Sequence, residues 1–196
     1  MKKTVLILLM AFAVCGGVFA QQNVDELLDK MLADLTGAIR LNPKDDSHYR
    51  MRGDLYIGKK EYDKAIADYN EAIKLNPKEP MAYVGRGLAY LRKNDINKAI
   101  ADFNEAIKLD PKNDMAYRLR GDSYSYNDHD KAIADYTQAI RLNPRYAEAY
   151  FSRGNAYLWN KDYNKAIADF EAALQIEPDH AEAKEALENA KKARGD

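Results

Sequence analysis

The chain has 196 residues, and its 30 basic and 31 acidic side chains give a formal net charge of −1 at pH 7. The two signs are interspersed, which is typical of a solvated surface and argues against the concentrated basic footprint of a nucleic-acid-binding protein. By length the chain suits one domain. Its single cysteine, Cys15, excludes an internal disulfide and a cysteine-ligated metal site.

The first twenty residues have the layout of a secretory signal peptide. A basic start at residues 1–3 precedes an apolar run at 4–14 and a small-residue exit at 18–20. We predict a signal peptide at 1–20, cleaved after Ala20, and an exported protein of the bacterial periplasm or exterior. An uncleaved anchor and lipidation of Cys15 remain alternatives. The run is short for a membrane span, and we expect membrane contact only indirectly or through such an anchor.

A fixed period organises the rest of the chain. Prolines separated by 34, 34, 33 and 34 residues stand at Pro43, Pro77, Pro111, Pro144 and Pro178. Each period carries two stretches with apolar residues at helical spacing, and the second ends before its proline. We predict a half repeat with one helix at 21–45, full repeats at 46–79, 80–113, 114–146 (one residue short) and 147–180, and a capping helix with its tail at 181–196. Repetition of this kind indicates a stack of small units.

The recurring residues resemble those of the tetratricopeptide repeat family. Each full repeat carries an aromatic, a glycine and a tyrosine in its first helix, then an alanine, an aromatic and an alanine in its second. In the first repeat these are Tyr49, Gly53, Tyr56, Ala65, Tyr69 and Ala72. The resemblance implies an all-α fold, a right-handed α-solenoid of helix-turn-helix units with a C-terminal capping helix. It also implies a concave groove lined by the first helices and used to bind proteins.

Two features depart from the family pattern. An arginine precedes the glycine of every repeat, and every second helix carries an aspartate; these are Arg52, Arg86, Arg120 and Arg153, with Asp68, Asp102, Asp135 and Asp169, and Asp34 as a fifth acid. We predict a structural ladder of arginine–aspartate pairs, because a buried charge normally has a partner; a row of ligand-binding arginines is the alternative. The missing residue of the third repeat lies between Tyr124 and Ala132 and should tighten its inter-helix turn.

Residues at groove positions that the repeat pattern does not explain are the candidate binding site. The candidates are Arg50, Met81, Val84, Leu88, Leu91, Met115, Arg118, Tyr126, Phe151, Asn155, Leu158 and Trp159. Exposed apolar and aromatic side chains mark interaction surfaces, so we expect a protein or peptide partner, either an amphipathic helix or an extended apolar segment. Alternatively, some of them pack against the next helix, or Trp159 covers the closing helix. Asp54 and Asp122 are spaced to pair with Arg50 and Arg118.

The resemblance also excludes one binding mode. Family members that bind chaperone C-terminal carboxylates use a lysine–asparagine–arginine set in this groove. The corresponding positions here are Arg50, Asp54, Gly85, Met115 and Leu119. Only the first is similar in charge, so this mode is not expected.

No catalytic constellation is visible in the sequence. His48, His129 and His180 are far apart, and neither a glycine-rich phosphate loop nor a nucleophile elbow occurs. We therefore expect that the protein is not an enzyme and that it binds no cofactor, metal ion or nucleic acid. The leading hypothesis is an exported scaffold or adaptor that holds a protein segment. The alternatives are a self-associating, homodimeric component of the cell envelope and, third, an enzyme with an unrecognised site.

Overall fold

A computed structural model describes residues 18–195, with side chains from residue 24 onward. Within these residues the chain forms helices and no strands. The helices are α1 Val18–Leu41, α2 Asp46–Gly58, α3 Tyr62–Leu75, α4 Pro80–Arg92, α5 Ile96–Leu109, α6 Asp114–Tyr124, α7 His129–Leu142, α8 Ala147–Trp159, α9 Tyr163–Ile176 and α10 Ala181–Arg194. Cys15 and most of the predicted signal peptide lie outside the described residues.

The helices stack as consecutive antiparallel pairs. α2 packs on α3, α4 on α5, α6 on α7 and α8 on α9, while each second helix also contacts the first helix of the next pair. α1 contacts α2, and α10 packs on α9. The predicted all-α solenoid is confirmed. No helix within residues 18–195 has the length and apolar character needed to cross a membrane.

Short polar residues fix where the helices begin. The side chains of Asp95, Asp128 and Asp162 each accept a hydrogen bond from the backbone N–H three residues further on. This satisfies one of the N–H groups that a helix start leaves unpaired. Pro80 stands at the first position of α4, where its missing N–H costs nothing. The cap residues therefore fix the residue at which each helix begins.

Close contacts between helices depend on the glycine and aromatic of each repeat. Phe103 of α5 is fully buried against Gly87 of α4. A Cβ at Gly87 would lie 2.7 Å from the Phe103 ring, which is closer than any side chain tolerates. The recurrence of this pair predicted by the sequence is thus a packing requirement.

The predicted arginine–aspartate ladder is confirmed in the four full repeats. The pairs are Arg52–Asp68, Arg86–Asp102, Arg120–Asp135 and Arg153–Asp169. In the second repeat Arg86 Nε donates to Asp102 Oδ2 at 2.9 Å, and Arg86 Nη2 donates to Oδ1 at 2.7 Å. The inclusion of Asp34 was wrong, because Asp34 is exposed and forms no ion pair with a described residue. The position 34 residues before Arg52 is Val18, so no arginine exists to meet it.

Each ladder arginine also reaches the preceding repeat, which the sequence analysis missed. Arg86 Nη1 donates to Asn70 Oδ1 at 2.7 Å, and Arg120 Nη1 donates to Asn104 Oδ1 at 2.6 Å. Arg52 and Arg153 use the threonine hydroxyls of Thr36 and Thr137 instead. A polar residue two positions after each aspartate was the available signal. One side chain therefore joins three helices.

The turn of the third repeat is shorter, as predicted. In the other three full repeats this turn contains a residue with a left-handed backbone: Lys60 (φ 60°), Asn94 (φ 62°) and Lys161 (φ 61°). There a backbone N–H reaches five residues back, as Asp95 N does to Tyr90 O at 2.9 Å. In the third repeat Asp128 N reaches four residues back, to Tyr124 O at 2.8 Å, and α6 has 11 residues where α4 has 13.

Candidate functional site: a groove across the first helices

The first helices of repeats two to four form a pocket of about 700 Å³. α4, α6 and α8 supply most of its lining, and the starts of α5 and α7 close its sides. Seven of the predicted groove residues line it: Leu88, Leu91, Met115, Arg118, Tyr126, Asn155 and Trp159.

The other five predicted residues lie elsewhere. Val84 is 2% exposed and belongs to the core around Phe103, so its assignment to the groove was wrong. Phe151 and Leu158 lie outside the pocket and pack against the core between α9 and α10, where the Phe151 ring is 4.9 Å from His180. The capping helix packs over these two positions; their equivalents in the third repeat, Arg118 and Ser125, line the pocket instead.

Met81 and Arg50 also lie outside the pocket. Met81 is 36% exposed, and its Sδ accepts a weak hydrogen bond from Asn113 at 3.5 Å. The predicted Arg50–Asp54 pair was wrong: Asp54 accepts its hydrogen bond from Tyr69 at 2.6 Å, and Arg50 Nε is buried without a hydrogen-bond partner among the described residues. Burial raises the pKa of Asp54 above its usual value, and the Tyr69 hydroxyl offsets part of this shift.

One repeat position supplies the exposed wall of the pocket. The residue two places after the recurring first-helix tyrosine is Gly58, Arg92, Tyr126 and Trp159 in the four repeats. We call Arg92, Tyr126 and Trp159 the rim row, because all three line the pocket and are exposed. Tyr126 is 80% exposed and Trp159 is 73% exposed. Comparing this position across the repeats would have added Arg92 to the prediction.

Trp159 stacks on the ring of His129, with the centroids 5.7 Å apart and the planes at 8°. The alternative that Trp159 covers the closing helix was therefore wrong. His129 is the first residue of α7, and the short turn of the third repeat leads into it. His129, which the sequence analysis did not place in the groove, supports the indole in an orientation that leaves its other face open.

A polar network forms the floor of the pocket. Arg118 Nη1 donates to Asp122 Oδ2 at 2.6 Å, which confirms the predicted pair, and Arg118 Nε donates to the Tyr146 hydroxyl at 2.7 Å. Tyr136 donates to Asp122 Oδ1 at 2.9 Å. Burial raises the pKa of Asp122, while Arg118, Tyr136 and the charge of Arg92 act in the opposite direction. The network leaves Asp122 fully partnered.

The pocket retains one unbalanced charge. Its charged lining residues are Arg92, Arg118 and Asp122, and the last two pair with each other. Arg92 forms no ion pair with any described residue. The pocket is therefore positive in a chain whose formal net charge is −1. No three His, Cys, Asp or Glu side chains within the described residues are arranged to hold a metal ion.

Comparison with known families identifies the fold. Models of the tetratricopeptide repeat match residues 32–80, 50–114, 84–125 and 147–180, and a further TPR repeat model matches 123–161. The chain belongs to the tetratricopeptide repeat family. Proteins of this family are generally scaffolds without enzymatic activity. No curated protein sequence matches the chain.

Solved structures of tetratricopeptide repeat proteins are similar over most of the chain. The MamA protein is 27% identical with a TM-score of 0.67, covering 76% of this chain and 82% of its own. The first TPR of Spaghetti (RPAP3), bound to the HSP90 peptide SRMEEVD, is 25% identical with a TM-score of 0.59, covering 61% of this chain and 95% of its own. A thermophilic TPR protein of Thermus thermophilus, 19% identical with a TM-score of 0.72, covers 88% of this chain and 94% of its own and shows the fold alone.

Proposed function

We propose that this tetratricopeptide repeat protein is an exported, non-enzymatic scaffold whose pocket holds a segment of a partner protein. The observation that carries the proposal is the pair Tyr126 and Trp159, which are 80% and 73% exposed on one wall of a pocket of about 700 Å³. Large exposed aromatic side chains beside a concavity are typical of interaction sites, because their burial supplies much of the binding energy.

The comparisons support a peptide-binding role but do not identify the partner. A structural neighbour holds an HSP90 peptide, but the residues expected to clamp a C-terminal carboxylate are different here. Gly85 carries no side chain, Met115 is apolar, and Leu119 is 4% exposed. The partner segment is therefore recognised by other side chains, those of the pocket and its rim row.

Export is supported by the N-terminal sequence. A basic start, a short apolar run and a small-residue exit precede the repeats, as in secretory signals. The protein would then act in the periplasm or outside the cell, as an adaptor or assembly factor, with membrane contact only through its partners or an uncleaved or lipidated N-terminus.

Site-specific cross-linking tests the proposal. A photo-reactive amino acid at Met115, which is 40% exposed in the pocket, should capture a discrete partner in intact cells. The same group at Ala101, exposed on α5 and outside the pocket, is the matched control. Capture from Met115 should be lost with Tyr126→Ala/Trp159→Ala. Equal capture from both positions would contradict binding in the pocket.

A second candidate function is self-association, favoured by the same exposed rings of Tyr126 and Trp159. In this case two copies bury their rim rows against each other as a component of the cell envelope. Light scattering over a wide concentration range distinguishes the candidates, because a concentration-independent monomer removes the dimer.

A further inference from the structure

We propose that the pocket recognises a polyproline II segment that carries one acidic side chain and two prolines spaced three residues apart along the rim row. The proposal rests on the proposed function and specifies the chemistry of the partner. It assigns the acid to Arg92 and the prolines to Tyr126 and Trp159, in either chain direction.

The spacing of the rim row suits this conformation. The three residues share one position in the sequence repeat; Arg92 and Trp159 end α4 and α8, Tyr126 lies in the turn after α6, and α4 contacts α6. Packed helices lie about 8–10 Å apart. A polyproline II helix has three residues per turn and rises ~3.1 Å per residue, so every third side chain faces the same way at intervals of about 9 Å. One turn of the ligand is therefore comparable with the step from α4 to α6.

The aromatic members of the row favour proline. Trp159 lies flat against His129 and exposes its opposite face, and Tyr126 extends from the short turn of the third repeat. Flat aromatic surfaces of this kind bind the rigid rings of proline, and the preformed ligand loses little conformational entropy on binding.

The pocket between the rings is suited to an exposed backbone. Asn155 lines it, and its side-chain amide can donate to carbonyl groups. A polyproline II segment has no internal hydrogen bonds and presents such carbonyls, whereas an α-helix satisfies its own. An amphipathic helix would also bury the Asn155 amide under an apolar face without giving it a partner.

Charge specifies the acidic position. Among the charged residues that line the pocket in the described part of the chain, Arg92 alone has no ion pair, while Arg118 and Asp122 neutralise each other. A carboxylate in the partner would form an ion pair with Arg92 and balance the net positive charge of the pocket, whereas a lysine at the same place would be repelled by Arg92.

The single tryptophan of the chain, Trp159, makes the test direct. Its fluorescence is followed while the protein is titrated with capped decapeptides: one aspartate followed by nine prolines, the reversed sequence, both with lysine replacing aspartate, and an amphipathic leucine–glutamate–lysine helix. At least one aspartate peptide should bind about fivefold more tightly than its lysine counterpart. Tyr126→Ala should weaken its binding about 3- to 10-fold.

Charge reversal supplies the decisive control. Arg92→Glu should invert the preference, so that the lysine peptide binds more tightly than the aspartate peptide. Arg145→Glu changes the net charge equally at an exposed arginine outside the pocket and should leave the preference unchanged. Circular dichroism confirms that each variant is folded.

Three results would overturn the inference: equal binding of aspartate and lysine peptides, a preference unaffected by Arg92→Glu, or tighter binding of the helical peptide. A concentration-dependent dimer that excludes the peptides would also overturn it in favour of a second copy. If no peptide binds while Met115 still cross-links a partner in cells, the inference fails and the proposed function stands. If no peptide binds and Met115 also captures no partner, both the inference and the proposed function are refuted.

Discussion

Replacement of Asp102 by alanine should lower the free energy of unfolding by about 2–3 kcal/mol, because it leaves the ladder arginine without its carboxylate. Arg86 donates two hydrogen bonds to Asp102, at 2.9 and 2.7 Å, and the two side chains are only 20% and 8% exposed. A hydrogen bond to a charged group contributes roughly 1.5–3 kcal/mol. Arg86 keeps its bond to Asn70 and some solvent, which places the expected loss below that of a fully buried pair.

Urea denaturation and thermal melting of the purified chain measure the effect, which should correspond to a fall in Tm of about 5–10 °C for a protein of this size. The matched control is Asp63→Ala, which removes the carboxylate from the Lys93–Asp63 pair. There the aspartate is 84% exposed, and the expected cost is below about 1 kcal/mol.

A double-mutant cycle then separates pairing from packing. Leu187 of α10 occupies the ladder register and is buried, so leucine is accepted at this position in the stack. Arg86→Leu/Asp102→Leu should therefore cost less than the sum of its single variants, with a coupling of about 1–2 kcal/mol. Equal losses for Asp102→Ala and Asp63→Ala, or strict additivity in the cycle, would refute the structural role of the ladder.

The remaining predictions concern packing, pH and processing. Gly87→Ala should cost about 1–3 kcal/mol in urea denaturation because its Cβ meets an aromatic ring at 2.7 Å, whereas Gly58→Ala meets nothing within 4 Å and should be neutral or stabilising. Burial raises the pKa of Asp54 above its unfolded value of 3.8. Protonation of Asp54 therefore favours the folded state. The free energy of unfolding, measured by urea titration at each pH and compared with that of Asp54→Asn, should increase as the pH falls from about 7 to about 4. If the N-terminus is a signal peptide, mass spectrometry of the protein expressed in a bacterium should show a chain that begins after Ala20; an intact or lipid-bearing mass would contradict this.

The recurrence of residues in the sequence was sufficient to predict the fold and the ladder. A glycine, an aromatic and an arginine–aspartate pair that return every 33 or 34 residues must meet equivalent neighbours in each unit of a stack, so their contacts follow from the repeat itself. The network around Arg118 shows where that reasoning fails. Arg50 and Asp54 have the same spacing as Arg118 and Asp122, yet only the latter pair forms.

The difference comes from a residue that begins another helix. Tyr146, at the N-cap position of α8, holds Arg118 in place at 2.7 Å. The corresponding residue after the first repeat is Glu79, whose carboxylate caps α4 by accepting from Met81 N. Burial likewise depends on the next element of the chain, because Phe151 is covered by the capping helix, whose sequence does not continue the repeat. Such contacts depend on the particular neighbour and cannot be obtained from spacing.

The ladder arginines have a mechanical consequence for the stack. One guanidinium is bonded both to the aspartate of its own repeat and to the threonine or asparagine of the preceding one, so the contact between neighbouring repeats and the contact between the two helices of a repeat are coupled through one side chain. Under tension the units of this solenoid should therefore yield together, in one large step. Fraying should begin at α10, where Leu187 stands at the ladder position and no ladder arginine spans the junction. A partner that exerts force on the pocket would therefore act on a stack that resists extension as one unit.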